Sequence, residues 1–410
     1  MSIFDGFLST PETLDAFGDR AVVEAMLRFE AALARAQAAA GLIPAASAAV
    51  IVAACEARDF DVAAIVRDSG RAGTVAIPLV KALREAVAAR DAAAATHVHL
   101  GATSQDVIDS AVALVSRDVV AWLEADLVVA ARALLAHAEA HAETPMLART
   151  LMQPASVTSF GFKCAGWAAP LVRGVGRLRR SARHALQVQL GGAVGTLAQM
   201  GAQGAAVRAD VARELGLGDP GATWHTQRDE WVALGCELGL VTGSLGKIAL
   251  DIGLLGQYEV GEVSEPSEAG RGGSSAMPHK RNPVASMVAV AAAHRAPQHV
   301  AALLGAMPQQ HERALGAWQA ELAEWPLLAM AAHGSARALA TALPGLRIDA
   351  PRMRANIDRL RAELPPAAAA EWFDPALALH AGTLARAEVA RLRRQLDHPE
   401  DIRPTQETHP

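Results

Sequence analysis

The chain has 410 residues, half of them apolar and a fifth charged, with a formal net charge of −5. That length and apolar content suit two or three domains around a large core and exclude a disordered chain. Aromatics are only 4% against 33 glycines and abundant alanine, which points to closely packed helices rather than a β-sandwich. The mild charge and the lack of a basic tract argue against nucleic acid, and no Lys/Arg-rich amphipathic stretch addresses a membrane surface. Three scattered cysteines, Cys55, Cys164 and Cys236, form neither a disulfide framework nor a zinc cluster. The acidic start MSIFDGFLSTPETLD does not read as a signal peptide, so a soluble cytoplasmic protein is expected.

In chain order, Val22, Met26, Phe29 and Leu33 mark one amphipathic helix, and Pro78 opens another carrying Leu79, Leu83 and Val87. From about residue 105 the character changes. Val107, Ala111, Leu114, Val119, Trp122, Leu127, Ala131 and Leu134 run without Pro or Gly over about 35 residues, a rod of roughly 50 Å. A second rod holds Leu234, Leu238, Val241, Leu245, Ile248, Ile252 and Leu255 at alternating steps of four and three, a heptad seam. Its glycines (Gly239, Gly243, Gly246, Gly253 and Gly256) either weaken it or allow close helix approach, and the second reading explains their number. A third rod starts after Pro283 and a fourth runs through Leu315, Trp318 and Leu322, so a helical bundle is predicted. Beyond about residue 340, Pro344, Pro351, Pro365, Pro366 and Pro375 cut the chain into shorter helices. The division expected is an N-terminal helical domain over 1–100, a central bundle over 101–340 and a small C-terminal domain over 341–410.

Between the second and third rods lies EVGEVSEPSEAGRGGSSAMPHKRNP, residues 259–283, with four Gly, three Pro and no apolar period. Linkers between bundle helices are usually 2–8 residues, so a plain connection is an inadequate account. The whole chain has only four lysines, and Lys280 is one of them. The run Gly273-Ser274-Ser275-Ala276-Met277-Pro278-His279-Lys280-Arg281-Asn282-Pro283 closely resembles the signature of the fumarase/aspartase superfamily. Two further segments resemble its other shared regions, His97-Val98-His99-Leu100-Gly101-Ala102-Thr103-Ser104-Gln105-Asp106 and Arg149-Thr150-Leu151-Met152-Gln153-Pro154-Ala155.

The resemblance implies an all-α, three-domain fold and a homotetramer whose active sites are each assembled from three subunits. It also implies chemistry at a carbon next to a carboxylate, through an aci-carboxylate intermediate. Ser274 matches the catalytic serine, with Lys280 beside it to stabilise the alkoxide and the intermediate's charge. Thr103 and Ser104 resemble the carboxylate-binding pair, Gln153 stands in the second region's binding position, and Asn282 is a carboxylate donor. Other members carry a histidine where this chain has Leu151. An apolar residue cannot protonate a departing amine or hydroxide, whereas a carboxylate leaves unaided because its conjugate acid has a pKa of about 4. That fits lactone chemistry, the province of the 3-carboxy-cis,cis-muconate cycloisomerase branch. Gly73–Leu83, Leu190–Leu197, Trp224–Asp229 and His311-Glu312-Arg313 with Trp318 resemble that branch. The resemblance implies a small tricarboxylate substrate, met by His99, Arg281 and Arg313, and no cofactor, metal, nucleic acid or membrane.

Blander readings stand beside these. His97 and His99 are also readable as a structural pair, His225 and Arg228 as braces for the second rod, and Arg313 as an exposed ion-pair partner in an acidic helix. Trp224, Trp318 and Trp325 read as core. Gly191–Gly195 lacks the strand and the later acid of a dinucleotide fingerprint. An adenylosuccinate lyase-type elimination is the alternative enzyme, and a non-catalytic scaffold the alternative of another class.

Overall fold

The structure is a computed structural model describing residues 3–55, 60–266, 272–273, 277 and 279–398. The N-terminal part comprises α1 (Ile3–Gly6), α2 (Pro11–Ala16), α3 (Asp19–Ala39), α4 (Ala45–Ala54), α5 (Val62–Ala72) and α6 (Ala76–Ala88). The rods are α7 (Ser104–Ala140), α8 (Phe160–Ala185), α10 (Asp229–Leu255), α11 (Val284–Ala306) and α12 (Ala317–Ala342), with α9 (Gly204–Leu215) packed on α3. Helices α13 (Ala350–Glu363), α14 (Pro366–Trp372) and α15 (Leu377–Asp397) follow, and α15 lies along α8 and α7.

The predicted helices are present, and the all-α expectation holds with two short exceptions. Strands β1 (Pro145–Thr150) and β2 (Gln153–Ser159) form an antiparallel hairpin, and β3 (Val263–Ser264) pairs with β4 (Arg347–Ile348). The hairpin pairs Thr150 with Gln153, so Leu151 and Met152 form a two-residue turn. Both have positive φ, 50° and 66°, as the twist of a tight hairpin requires, and both are exposed, Leu151 at 97%.

Helix α7 follows from its apolar spacing and from its start. Thr103 is its N-cap, and the Thr103 N–H donates to Asp106 Oδ2 at 3.0 Å, one half of a capping box. Helix α10 buries its predicted seam: Leu234, Leu238, Val241, Leu245, Ile248, Ile252 and Leu255 are all at most 5% exposed. At roughly 1.5–3 kcal/mol per buried aliphatic side chain, this seam anchors the bundle. The α10 glycines separate by role. A Cβ on Gly246 would meet Ala293 Cβ at 2.2 Å and one on Gly239 would meet Val300 at 2.7 Å, so these two bring α11 close. Gly243 and Gly253 face open space.

Beside Gly243 runs a groove of about 760 Å³ lined by Trp167, Pro170, Leu240, Lys247 and Val300. Among the described residues α10 is the helix long and apolar enough to cross a membrane, but half of its most apolar stretch is buried, and it packs against α8, α11 and α12.

Candidate active site

The first region and the loops facing it form one built cluster at the amino end of α7. Asp106 sits at its centre, fully buried. Its carboxylate accepts from the backbone N–H groups of Thr103, Gly191 (3.0 Å) and Gly192 (2.9 Å), and it meets His225 Nε2 at 2.7 Å. The glycines at 191–192 therefore cradle an internal carboxylate. Gly192 has φ +72°, and a Cβ there would lie 2.7 Å from the Gly101 carbonyl, so the turn requires glycine.

One helical turn on, Asp109 anchors a second buried network. It accepts from Arg228 Nη1 at 2.8 Å, Trp318 Nε1 at 2.9 Å and Gln105 Nε2 at 3.1 Å. Arg228 also donates from Nε to Glu321 at 3.1 Å and from Nη2 to the same carboxylate, while Trp224 stacks over its guanidinium at 4.4 Å. Two buried carboxylates thus share one guanidinium. Burial pushes the Glu321 carboxyl above its usual range; Arg228 pulls it down and Asp109 pushes it further up. His225 and Arg228 are the braces expected of them, and Trp318 and Trp325 are core.

Arg313 departs from the acidic-helix expectation. It lies before α12, which begins only at Ala317 after Gly316, and its recorded partners are neutral oxygens. Nη1 donates to Gln105 Oε1 at 3.2 Å, and Nη2 donates to the carbonyls of Gly192 (3.0 Å) and Ala193 (2.7 Å). Gln105 is the link between the networks. Its amide nitrogen donates to Asp109 and to the His225 carbonyl (2.8 Å), so its oxygen is the atom left to face Arg313.

His99 stands at the mouth of this cluster in a left-handed backbone conformation, φ 59°. Its Nδ1 lies 2.6 Å from the buried Glu30 carboxylate. Burial opposes the charged imidazole, but Glu30, by charge and hydrogen bond, and Asp106 more than offset it, and the pKa is raised. His99 and Ser104, the first residue of α7, line one cavity of about 370 Å³.

The other predicted residues lie elsewhere. Gln153 is exposed at the hairpin turn, whose base is held by a bidentate contact from Arg149 to the buried Glu262 (3.0 and 2.8 Å). Lys280, Arg281 and Asn282 are exposed just before α11. The Asn282 N–H donates to the Gly272 carbonyl at 2.8 Å, and Glu265 caps α11 through the N–H groups of Ala285 (3.0 Å) and Ser286 (2.7 Å). Ser274, the predicted catalytic residue, lies outside the described residues.

Helix α10 separates these two groups. Arg228 and the Asp109 network sit at its amino end; Glu262, the hairpin turn held by Arg149, and Gly272, Arg281 and Asn282 sit at its carboxyl end. Its 27 residues span about 40 Å. Within one chain, His99, Thr103, Ser104 and Arg313 therefore come together, and Gln153, Lys280, Arg281 and Asn282 do not join them. The sequence reading missed Glu30, Gln105 and Asp109 as the groups that orient the first cluster. Gln105 lay inside a matched region, but apart from Asp109 on the next helical turn its partners are 120 and 208 residues away and carry no local signal. Among the described residues no group of three or more His, Cys, Asp or Glu is placed to hold a metal ion.

A lyase family model matches residues 8–297. Over 355 residues the chain is 50% identical to a 3-carboxy-cis,cis-muconate cycloisomerase of Pseudomonas aeruginosa, covering 87% of this chain and 77% of the relative. It is 43% identical over 351 residues to a nitrosuccinate lyase of Streptomyces davaonensis, covering 84% and 74%. The crystal structure of a 3-carboxy-cis,cis-muconate lactonizing enzyme from Pseudomonas putida superposes with a TM-score of 0.87 at 37% identity, covering 96% of this chain and 99% of that one.

Proposed function

Because the chain belongs to the lyase family of fumarase/aspartase-type enzymes, we propose that it is a cycloisomerase converting 3-carboxy-cis,cis-muconate to 4-carboxymuconolactone in the cytoplasmic breakdown of protocatechuate. The observation that carries this reading is likeness to cycloisomerases of that substrate along nearly the whole chain. In the proposed reaction one substrate carboxylate oxygen bonds to a carbon of its own double bond. The electron pair moves toward the neighbouring carboxylate as an aci-carboxylate, and Ser274 delivers a proton to the α-carbon before being reprotonated from solvent. The reaction takes up one proton and releases no group, so nothing departing needs a general acid, and the apolar Leu151 is tolerated.

Lys280 and Asn282 stabilise the charge on the aci-carboxylate, while His99, Thr103, Ser104, Gln153, Arg281 and Arg313 hold the carboxylates. A tricarboxylate of this size cannot bridge about 40 Å, so the two ends must come from different copies. A homotetramer in which three subunits contribute to each site supplies them. The apolar, glycine-bearing groove along α10 supports such an assembly.

The likeness to a nitrosuccinate lyase favours a second reading, elimination of a stable anion from a dicarboxylate, which Leu151 equally permits. The deciding experiment follows loss of the conjugated-diene absorbance of 3-carboxy-cis,cis-muconate with purified protein, with nitrosuccinate and adenylosuccinate in parallel. Rapid loss with muconate alone is expected. Silence with muconate and turnover of nitrosuccinate overturns the cycloisomerase reading in favour of the elimination.

A further inference from the structure

The cavity under His99 has a second wall, which the reaction as described does not use. Helix α6 presents Ile77, Lys81 and Arg84 at spacings of four and three, which puts all three on one face. That face lines the same cavity of about 370 Å³ as His99 and Ser104. Arg84 donates from Nη2 to the Val98 carbonyl at 3.3 Å, which holds its guanidinium beside the turn leading into α7 while other N–H donors stay available. Its charge is close enough to His99 to work against that residue's proton.

Lys81, one of the chain's four lysines, lies 3.9 Å from Glu85, the one carboxylate lining the cavity. Both side chains of that pair are more than two-thirds exposed, so the pair is weak and the ammonium is easily drawn to a better anion. With Nδ1 of His99 committed to Glu30, the ring nitrogen left for a ligand is Nε2. Ser104 places the positive end of α7 at the same cavity. A guanidinium held in place, an exposed ammonium, a histidine held toward its charged form and a helix amino terminus thus converge on one small space.

We propose that this cavity is the subsite for the carboxylate that distinguishes a tricarboxylate substrate from a dicarboxylate, with Arg84 and Lys81 as its specificity-determining residues. The proposal rests on the cycloisomerase reading for the identity of the substrate, but the recognition it describes is testable apart from turnover. Both residues are exposed and lie outside the core, so a variant carrying Arg84→Gln and Lys81→Gln folds.

The test is calorimetric titration of wild type and this double variant with propane-1,2,3-tricarboxylate and with pentanedioate. Wild type is expected to prefer the tricarboxylate by about tenfold or more, the worth of a charge-assisted hydrogen bond. The double variant is expected to lose that preference with its pentanedioate affinity changed by less than about twofold. Equal weakening of both ligands, unchanged tricarboxylate binding or a wild type without preference each overturns the subsite. If wild type lactonises 3-carboxymuconate and the double variant binds tricarboxylate normally, the subsite falls and the reaction stands. If tricarboxylate binding is selectively lost in a protein that does not turn over muconate, the subsite stands and the reaction falls.

Discussion

Replacing Arg228 with methionine removes four hydrogen bonds and the positive charge that bridges Asp109 and Glu321, both buried. The methionine fills similar space, so packing is largely kept and the loss is electrostatic. Breaking a buried ion pair by removing one partner typically costs about 3–5 kcal/mol, because the remaining charge is stranded. Here two like charges are stranded, which places the expected loss at about the upper end of that range near neutral pH. Glu321 already has its carboxyl raised, by burial first and Asp109 also, with Arg228 as the opposing influence. Without Arg228 it rises further. A carboxyl raised in the folded state stabilises the fold while protonated, and that stabilisation is lost as pH climbs through its folded value.

The deficit should therefore be largest at about pH 8 and shrink toward about pH 5, by the linkage between protonation and folding. Urea unfolding followed by far-ultraviolet circular dichroism at both values measures it. Adding Glu321→Gln should recover about 1–3 kcal/mol at the higher pH by removing one stranded charge. A loss below about 1 kcal/mol at the higher pH, or one that grows as pH falls, would refute the assignment of this network as a charged cluster held by Arg228.

Gln105→Leu should leave Arg313 held by the Gly192 and Ala193 carbonyls but free to tilt, lowering kcat/KM by about 10–100-fold, and should cost about 1–3 kcal/mol of stability because Asp109 and the His225 carbonyl each lose a buried donor, as steady-state kinetics and urea titration will show. Glu30→Gln should lower the His99 pKa, read by NMR of selectively labelled histidine. Since the raised imidazole contributes its stability below about pH 6.5 and loses it as pH rises through the folded value, the stability gap to wild type should be wider at acid than at alkaline pH. Gly246→Ala should destabilise by about 1–3 kcal/mol against Ala293, whereas Gly243→Ala should stabilise an isolated chain by up to about 1 kcal/mol yet weaken a tetramer packed on that face, which sedimentation equilibrium separates. Ser274→Ala should remove turnover by several orders of magnitude at unchanged assembly size; wild-type-like rates would remove Ser274 from the reaction.

Much of the fold was legible because it is written in long periods. The α7 pattern and the α10 seam predict rods that the structure places at Ser104–Ala140 and Asp229–Leu255. The hairpin was not legible: its strands are six and seven residues long, and its turn uses Leu151 and Met152 where Asn-Gly would have announced it. Arg313 was misplaced because the acids at 312, 321 and 324 suggested one continuous helix, whereas Gly316, at φ 96°, precedes its start. His99, Thr103, Ser104 and Arg313, named from the sequence, lie together in the fold, but the groups that orient them were not legible. Asp109 meets Trp318 across 209 positions and Arg228 across 119, separations that no local pattern encodes.

The length of α10 has a consequence for inheritance of damage. In the proposed assembly no single chain owns a whole site, so a chain crippled at His99 still carries a sound 272–283 segment, and one crippled at Lys280 still carries a sound first region. Co-assembled, two inactive variants of these kinds would restore a fraction of intact constellations, while two variants injured at the same end would restore none. The helix thus turns the position of a lesion along one axis into a rule for which defective copies can rescue each other.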